Sequence, residues 1–393
     1  MKLAYITNAR IPSERANAMQ TVQMCAAFAA VGVGVTLYHP RRRNLPEFDS
    51  IDLWEYYGVP RVFTRVAVPC VDLFHLSGGR VWLERPIFLL QAITFALALI
   101  RMIARSPADL YYSRDPFALA LMAVAMPSSR QRMFFEAHTF PVTSAARAFR
   151  RWALNHIAGT VAISGALKEL YVNMGLPPEK VIAASDGVSL SRFAAGLSKT
   201  DARRSLSLPL DKRLIVYTGG LYAGRGIEEL IVVVKELDAL LVIVGGKDEA
   251  AARRLKDYAV RVGAANVRFE GHRPPTQVPL YLAAADVLAM PYSRRTVAPG
   301  GVTTDWMSPL KMFEYMAAEM PIVASDLPAL REVLCEENAL LVPPDDANSL
   351  ADGLRRLLAD DSLASRLATQ ARRDVEAYTW DNRARSILNF ANG

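Results

Sequence analysis

The sequence predicts an α/β protein built from two doubly wound parallel sheets, one in each half of the chain. Its 393 residues are enough for two or three domains, and the 52% apolar content is enough for packed cores. Short apolar runs alternate with helical patterns along most of the chain, and a second series of this alternation begins near residue 190. We therefore predict an N-terminal domain in residues 1–188 and a C-terminal domain in residues 189–376.

The N-terminal domain opens with a strand–helix–strand unit. Leu3–Thr7 is a short apolar strand, residues 8–17 are polar loop, and Ala18–Ala30 is helical. Gly32 ends that helix, and Val33–Tyr38 is the next strand. The same patterns predict strands at Leu110–Tyr112, Met133–Phe135 and Thr160–Ile163, and helices that include Phe117–Ala125 and Ser164–Met174.

The longest apolar run of the chain is Pro86–Ile100, which is interrupted by Gln91 and Thr94. A helix that spans a bilayer needs roughly 20 apolar residues, so we predict no spanning helix here. Arg85 and Arg101 flank the run. We expect a buried helix, with an interfacial helix as the alternative.

The C-terminal domain repeats the alternation after a polar stretch at 196–212. Its predicted strands are Leu214–Tyr217, Ala239–Val244, Val267–Phe269, Asp286–Met290, Ile322–Ala324 and Leu340–Val342. Its predicted helices are Ile227–Lys235, Ala250–Val262, Pro279–Ala285 and the one that follows the loop 291–308, and the tail 348–390 is mostly helical. Open α/β sheets bind ligands at the carboxyl ends of their strands, so we expect a ligand site between the two domains.

The composition sets limits on compartment and chemistry. The three cysteines, Cys25, Cys70 and Cys335, are far apart and form no disulfide framework, which favours a reducing, cytosolic setting. Five scattered histidines give no metal-site pattern. The first ten residues turn polar too soon for a secretory signal.

The net positive charge of the chain comes entirely from the N-terminal half. Residues 1–185 contain 20 Lys and Arg against 12 Asp and Glu, a net charge of +8, whereas the remainder has a net charge of −1. Arginines cluster at 41–43, and Arg147, Arg150 and Arg151 lie beside Phe149 and Trp152. Basic clusters next to aromatic residues favour an anionic membrane surface as the partner, with nucleic acid or a merely solvated basic face as alternatives.

The most informative stretch is residues 308–326, which predicts a loop, a helix, a turn and a buried strand. Ser308 is a good N-cap, and Pro309 suits the first helical position. The free backbone amides of Leu310 and Lys311 would then form an anion site at the helix start. Glu314, one turn deeper, could accept hydrogen bonds from a pair of sugar hydroxyls.

This stretch resembles the donor-nucleotide motif of the retaining glycosyltransferases of family 4. The resemblance implies that Glu314 binds the ribose of a nucleotide-diphosphate sugar. It also implies the GT-B architecture, with two Rossmann-like domains, an interdomain cleft and a C-terminal helix, 377–393, that crosses back to the first domain. The donor is then a co-substrate, and the resemblance implies neither a cofactor nor a metal.

A glycine-rich loop at 217–226 follows a strand and opens a helix, as a phosphate-binding loop would. By resemblance, Gly219, Gly220 and Arg225 contact the donor, and Arg225 binds the diphosphate. The family's second arginine corresponds to Gly220 in this chain. We therefore expect Arg273 or Lys311 to supply the missing phosphate contact.

Three further places in the chain correspond to donor-side positions of the family, two as matches and one as a departure. The turn with Gly271, His272 and Arg273 matches the one whose backbone contacts the nucleotide base. His138, in the Glu-Ala-His at a strand end, matches the histidine that faces the transferred sugar. Many relatives have a glutamate eight residues before the ribose glutamate; Trp306 stands there, and the adjacent Asp305 is a candidate substitute.

The acceptor side is less well defined by the sequence. Ser13, Arg15 and Asn17 replace the glycines that the family has after its first strand, and Arg114 lies at another strand end. The loop 8–17 lacks the G-x-G-x-x-G of nicotinamide dehydrogenases. Glu319 replaces the glycine usual at the end of the motif helix, at a cost of order 1 kcal/mol if its backbone is left-handed.

These observations predict a retaining, metal-independent glycosyltransferase whose acceptor is a membrane-associated, lipid-linked or cell-surface glycan. It would be cytoplasmic or peripheral on the inner face of the membrane. A soluble enzyme with a small acceptor and a non-catalytic nucleotide-sugar binding protein are the alternatives. A nucleic-acid binder is a more distant one, because no recognition motif accompanies the basic clusters.

Overall fold

The computed structural model describes residues 1–193, 196, 198–298 and 301–393. Leu197, in the predicted polar stretch, and Pro299 and Gly300, in the predicted loop 291–308, lie outside the described residues. The chain divides into two compact units. Unit 1 comprises Met1–Ser185 and Trp380–Gly393, and unit 2 comprises Asp186–Thr379.

Unit 1 is built on a parallel sheet, in which the described residues form seven strands in the order β3-β2-β1-β4-β5-β6-β7. The order reverses between β1 and β4, which makes their carboxyl ends the switch point of the sheet. The strands are β1 (Lys2–Ile6), β2 (Gly34–Pro40), β3 (Thr64–Val68), β4 (Leu110–Ser113), β5 (Met133–Ala137), β6 (Gly159–Ala162) and β7 (Val181–Ala183).

Helices connect these strands. They are α1 (Ala16–Ala30), α2 (Leu53–Tyr57), α3 (Val81–Arg105), α4 (Pro116–Ala125), α5 (Ser144–Asn155) and α6 (Gly165–Asn173). Asp115 begins α4 as an N-cap, since its Oδ1 accepts the N–H groups of Phe117 and Ala118. Helix α3 packs on α4, and α4 packs on α5.

Unit 2 has a second parallel sheet, whose described strands run in the order β10-β9-β8-β11-β14-β15. Its switch point lies between β8 and β11. The strands are β8 (Arg213–Thr218), β9 (Ala239–Val244), β10 (Val267–Gly271), β11 (Val287–Met290), β14 (Ile322–Ser325) and β15 (Leu340–Val342), and a separate antiparallel pair is β12 (Val297–Ala298) with β13 (Gly301–Val302).

Helices cover both faces of this sheet and bury an apolar core on each side. They are α7 (Lys199–Ser205), α8 (Ile227–Val234), α9 (Glu249–Arg261), α10 (Val278–Ala283), α11 (Leu310–Ala317), α12 (Pro328–Arg331), α13 (Ala347–Ala359) and α14 (Asp361–Asp374). The last helix, α15 (Trp380–Asn392), belongs to unit 1 and packs on α1. Its Phe390 ring meets Phe134 at 5.7 Å between centroids.

The predicted fold class is confirmed, since both halves form parallel sheets covered by helices. The polar stretch 196–212, for which the sequence predicted no element, contains the short helix α7, and Ser198 caps this helix through the N–H of Asp201. Strands β3 and β7 and helix α5 were not predicted. Strand β3 is partly exposed at the sheet edge and carries Arg65, and β7 has three residues, so neither produces a long apolar run.

Helix α3 is longer than the predicted apolar run. It begins at Val81, five residues before Pro86, and ends at Arg105. Among the described residues, its part Trp82–Arg105 is long and apolar enough to cross a membrane, so the prediction that this region is too short was wrong. Only a third of its most apolar window is buried. The expected buried helix therefore describes one part of α3 and not the whole.

The exposed residue Glu319 has a left-handed backbone, with φ +54°, directly after the end of α11. We expect Glu319→Gly to raise the free energy of unfolding by about 1 kcal/mol, because glycine adopts this conformation without steric cost. Urea unfolding measures the change. Glu319→Ala is the matched control: it removes the same carboxylate but keeps the strain, so an equal gain there would contradict the explanation.

Candidate functional site

The N-terminus of α11 presents free backbone amides beside the switch point of the unit 2 sheet. The helix begins at Leu310, because Pro309 keeps an extended backbone with φ −76° and ψ 125°. The prediction of Ser308 as N-cap and Pro309 as the first helical residue was therefore wrong by one position. Ser308 Oγ instead accepts the N–H of Asp186 at 3.0 Å. No side chain caps the helix, so the amides of Leu310 and Lys311 remain available to an anion.

The buried face of α11 fixes this end of the helix in place. Met312, Phe313, Tyr315 and Met316 are all buried in the core of unit 2. The Tyr315 hydroxyl accepts the N–H of Thr218, the last residue of β8, at 2.8 Å. The Thr218 hydroxyl donates to the same oxygen at 3.3 Å, so two hydrogen bonds hold α11 to the end of β8.

Lys311 turns its amine towards that loop. Its Nζ lies 3.7 Å from the ring centroid of Tyr217 and 5.2 Å from that of Tyr292. Lys311 is 9% exposed, and its Nζ makes no hydrogen bond to a described residue. Burial and the neighbouring Arg225 lower the pKa of Lys311 well below its usual value.

Gly219 makes room for this amine. A Cβ built on Gly219 would lie 3.1 Å from Lys311 Cε and 3.2 Å from Nζ, and the residue has φ +127°. Lys311 therefore occupies space that a side chain at 219 would need. This is next to Gly220, where the family has its second arginine.

Arg225 also lies against Tyr292, with its guanidinium carbon 4.8 Å from that ring centroid. Its loop is held close to the strand ends: Gly226, at φ +67°, starts α8, and a Cβ there would come within 1.6 Å of the Pro291 carbonyl oxygen. Arg225 Nε is buried and makes no hydrogen bond within the described part of the chain.

Among the described residues, neither Arg225 nor Lys311 forms an ion pair with a carboxylate, while both lie close to Tyr292. Glu314, on the same helix, attracts the Lys311 amine, but burial and Arg225 outweigh this attraction and lower the pKa of Lys311. Two positive charges in a largely buried site are unfavourable unless a ligand neutralises them. The arrangement is suited to binding a polyanion such as a diphosphate.

Glu314 lies one turn deeper on the same helix and is held by an arginine that the sequence did not predict. Arg192 Nη1 is 3.2 Å from Glu314 Oε1, and Arg192 Nη2 donates to the carbonyl oxygen of Pro275 at 2.5 Å. Both side chains are largely buried, 8% and 16% exposed. Burial raises the pKa of Glu314 above its usual value even though Arg192 lowers it.

As the pH is lowered, the affinity for the nucleotide-sugar should fall when Glu314 becomes protonated. We expect Arg192→Met to move this acid limb of the affinity–pH curve to higher pH. Without the arginine, the pKa of Glu314 rises further, so the ionised carboxylate, which is the form expected to accept ribose hydroxyls, is lost at a higher pH. Affinity at neutral pH should fall about tenfold. Titrations of nucleotide-sugar against pH measure both effects. Arg192→Lys, which keeps the charge, should shift the limb less; an unchanged limb in Arg192→Met would contradict the assignment.

The turn after β10 contains the other predicted donor-side residues. Glu270 is bonded by Arg273 Nη2 and by the Tyr281 hydroxyl, each at 2.8 Å. Arg273 is thus engaged within its own turn, which leaves Lys311 as the better placed replacement for the missing arginine. Gly271 has φ +71°, and its carbonyl accepts the N–H of Gly245 at 2.8 Å. His272, next to it, is partly buried.

Asp305 is exposed on a turn in which the N–H of Trp306 donates to the Thr303 carbonyl at 3.2 Å. The turn precedes α11 by a few residues. Among the described residues, Asp305 forms no hydrogen bond or ion pair with the two cations or with Glu314.

In unit 1, His138 follows β5 and lies beside the buried carboxylate of Glu136, with 3.2 Å between His138 Nε2 and Glu136 Oε1. Arg383 Nη2 from α15 is 2.7 Å from the same oxygen, and Gln20 Nε2 donates to it at 2.6 Å. Burial would raise the pKa of Glu136, but Arg383 and His138 hold it well below its usual value. His138 therefore has an ionised partner that can orient its ring.

The predicted acceptor-side residues mostly shape their own loop. Ser13 is buried, and its Oγ accepts the N–H of Arg15 at 3.1 Å. Arg15 itself is exposed. Arg114 Nη1 donates to the carbonyl of Asn17 at 3.2 Å and to Gln20 Oε1 at 2.7 Å, which links β4 to α1. Asn17 and Arg114 are thus in direct contact in unit 1.

Both units of the chain match models of known protein families. Residues 198–374 match the family model of glycosyl transferases group 1, and residues 18–192 match that of Glycosyltransferase Family 4. The chain belongs to the family 4 glycosyltransferases. The predicted resemblance is confirmed, and it extends over both units.

Individual relatives of this glycosyltransferase are distant. An uncharacterized glycosyltransferase of Methanocaldococcus jannaschii is 30% identical over 240 residues, 58% of each chain. A D-inositol 3-phosphate glycosyltransferase of Corynebacterium urealyticum is 26% identical over 225 residues, 54% of this chain and 50% of the relative. The matched region thus spans about half the length of these curated relatives.

Solved structures confirm the fold of this glycosyltransferase. Sucrose-phosphate synthase from Thermosynechococcus elongatus superposes with a TM-score of 0.76 at 20% identity and covers 100% of this chain and 98% of the other. Anabaena HepE in complex with UDP and glucose superposes with a TM-score of 0.75 at 15% identity and covers 100% of both. The two parallel sheets therefore form the GT-B architecture.

Proposed function

We propose that this glycosyltransferase transfers a sugar from a nucleotide-diphosphate sugar to an acceptor hydroxyl with retention of anomeric configuration and without a metal. The observation that carries the proposal is the pair of buried cations, Arg225 and Lys311, beside the uncapped start of α11. Together they supply two positive charges and free N–H donors, which is what a diphosphate requires. The structural neighbour HepE was solved with UDP-glucose, which supports a donor of this class.

The diphosphate is proposed to bind between the glycine-rich loop and the start of α11. Lys311 takes the place of the arginine that the family has at Gly220, and Gly219 leaves the space for it. Glu314 accepts hydrogen bonds from the two ribose hydroxyls, held in position by Arg192. Arg192 also donates to Pro275, so the ribose carboxylate is tied to the turn proposed to face the base.

In the proposed reaction, the bond between the anomeric carbon and the diphosphate oxygen breaks, and its electron pair leaves with the diphosphate. The sugar passes through an oxocarbenium-like state. The acceptor oxygen forms the new bond on the face that the diphosphate leaves, and its proton passes to a phosphate oxygen. Arg225, Lys311 and the dipole of α11 stabilise the negative charge as it develops. Their positive charge takes over the role that a metal would have.

Two roles follow from the family resemblance. His138 is proposed to donate a hydrogen bond to the transferred sugar, with Glu136 orienting its ring. Asp305 is proposed to approach the donor sugar in place of the glutamate that relatives have at the position of Trp306.

The proposed acceptor is a lipid-linked or cell-surface glycan at the inner face of a membrane. The net charge of +8 in residues 1–185 supports an anionic surface as the partner. Among related proteins, one is named as a putative teichuronic acid biosynthesis glycosyltransferase, and a structural neighbour, WaaG, as an enzyme of lipopolysaccharide biosynthesis.

A thermal-shift screen across nucleotide-sugars, with UDP-glucose first, tests the donor assignment. A true donor stabilises the folded protein by mass action, by about 2.7 kcal/mol at a hundred times its Kd. Release of the nucleoside diphosphate then separates an enzyme from a binding protein. If a nucleotide-sugar stabilises the protein but no acceptor leads to release of the nucleoside diphosphate, the transferase proposal is rejected. A product whose NMR coupling at the anomeric carbon shows inverted configuration would reject retention. Loss of turnover in EDTA would reject metal independence.

Diphosphate binding should be accompanied by proton uptake at pH values above the lowered pKa of Lys311. In the free protein the pKa of Lys311 is lowered, so above it the amine is neutral. A bound diphosphate raises that pKa, and between the two values binding takes up a proton. Calorimetry of UDP binding in buffers of different ionisation enthalpy measures the uptake. Lys311→Arg should bind UDP without it, and an equal uptake in that variant would contradict the prediction.

A further inference from the structure

The first half of α3 carries large apolar side chains that the fold does not cover. Trp82 is 71% exposed, Phe88 and Leu89 are each 51% exposed, and Leu90 is 42% exposed. By contrast, Val260, the exposed apolar residue of α9, is 82% exposed between Ala259 and Arg261. A contiguous apolar patch on one helix indicates an interaction surface.

The second half of the same helix is anchored in unit 1. Phe95, Ala96, Leu99 and Ile103 are fully buried, and the helix leads directly into β4. The exposed segment, residues 82–90, is therefore about 13 Å long at 1.5 Å per residue. This length reaches into one leaflet of a bilayer but does not cross a hydrocarbon core of roughly 30 Å.

Positive charge surrounds the exposed segment. Arg80 and Arg85 are both exposed, at its start and within it. The arginine cluster 41–43 is linked to α3 through residues 71–74. The Arg42 guanidinium lies 4.1 Å from the Phe74 ring centroid. The N–H of Val71 in turn donates to Thr94 Oγ1 of α3 at 3.0 Å. Glu84 is the single acidic residue of α3, whose full range is described.

A neighbouring helix of unit 1 also exposes basic and aromatic side chains. Helix α3 packs on α4, which packs on α5, and α5 exposes Arg147, Phe149, Arg151 and Trp152. Basic residues interleaved with exposed aromatic side chains are suited to the interface of an anionic bilayer, where the aromatic rings enter the headgroup region and arginines meet lipid phosphates.

We propose that residues 82–90 of α3 insert into one leaflet of an anionic lipid bilayer, with the exposed arginines 41, 43, 80 and 85 bound to lipid phosphates. The proposal rests on the proposed function in taking the acceptor to be membrane-bound. Charge complementarity favours a bilayer over a second copy of this chain, since a symmetric dimer through this patch would place the arginines of both copies against each other.

Sedimentation of the full chain with phosphatidylglycerol–phosphatidylcholine vesicles tests the proposal. We expect salt-sensitive binding to these vesicles and much weaker binding to pure phosphatidylcholine. Trp82→Ser with Phe88→Ser should weaken binding about tenfold or more, and Arg85→Gln about fivefold. Val260→Ser and Arg366→Gln, which remove an exposed apolar and an exposed basic side chain from unit 2, are the matched controls and should bind as the original chain does.

Brominated lipids give a second measurement that does not depend on disruptive variants. They should quench the fluorescence of the bound protein, and Trp82→Phe should lose part of that quenching while it still sediments with the vesicles. No binding at low salt, or equal quenching in Trp82→Phe, would overturn the proposal. A dimer that the Trp82→Ser, Phe88→Ser variant converts to monomer, without vesicle binding, would assign the patch to a second copy and also overturn it.

The outcome is separable from that of the proposed function. Thermal shifts with nucleotide-sugars need no vesicles, and the α3 variants should retain them. Donor binding without vesicle binding would overturn the membrane proposal alone. Vesicle binding without donor stabilisation would overturn the proposed function alone.

Discussion

Arg225→Met is expected to lower kcat by about 100- to 1,000-fold. The guanidinium lies beside Tyr292 and, in the proposed reaction, stabilises the charge that develops on the leaving diphosphate. The loss of one such preorganised donor typically costs this much. The effect should fall on kcat more than on donor KM, because the interaction strengthens as the bond breaks. Diphosphate release from the nucleotide-sugar that gives the largest thermal shift measures both constants.

The control for this experiment is Arg253→Met, which removes an exposed arginine of α9. It should leave kcat and KM unchanged. If Arg225→Met remains folded and retains kcat within about threefold, the diphosphate is bound elsewhere and the anion site assigned to the glycine-rich loop is wrong.

Glu314→Gln is expected to weaken the donor by about 10- to 100-fold and to reduce its thermal shift accordingly. A carboxylate that accepts two ribose hydroxyls makes charge-assisted hydrogen bonds, each contributing about 1.5–3 kcal/mol, and an amide replaces only part of that. Arg192 would also lose its ionic partner, so the pocket loses order as well as charge.

Calorimetry with the nucleoside diphosphate and with free pyrophosphate localises the effect of Glu314→Gln. The variant should lose affinity for the nucleoside diphosphate but bind pyrophosphate as before, because pyrophosphate has no ribose. Glu337→Gln, at an exposed position of the same unit, is the control. An equal loss for both ligands would show that Glu314 holds the structure together and does not bind the pentose.

The sequence allowed most of the fold to be predicted, because buried parallel strands are continuous apolar runs that local pattern can identify. Ala239–Val244 and Leu340–Val342 form strands with the predicted bounds. Strand β3 escaped because it lies at an edge, where its side chains are partly exposed. The exposed half of α3 could not be predicted either, since burial depends on what packs against a helix and not on its composition.

The site could be predicted where its residues share one local motif. Lys311 and Glu314 come from one helix start, and Arg225 comes from one loop. Arg192 could not be assigned to Glu314, because the two residues are 122 positions apart and only the fold brings them together. The same holds for Arg383, which reaches Glu136 from the last helix.

Choosing between Lys311 and Arg273 as the replacement for the family's second arginine also needed the structure. Both are cations near the predicted donor site in sequence. Arg273 is bonded to Glu270 in its own turn, whereas Lys311 lies against Gly219 without a carboxylate partner among the described residues. The two residues thus differ in whether a carboxylate is bonded to them, which the sequence alone does not reveal.

The most direct test of the central claim is a crystal structure of the protein with the nucleotide-sugar that stabilises it. We predict the pyrophosphate at the start of α11, within hydrogen-bonding distance of the Lys311 amine and the Arg225 guanidinium, and both ribose hydroxyls on Glu314. Pyrophosphate density away from these two cations, or a ribose that does not touch Glu314, would contradict the account.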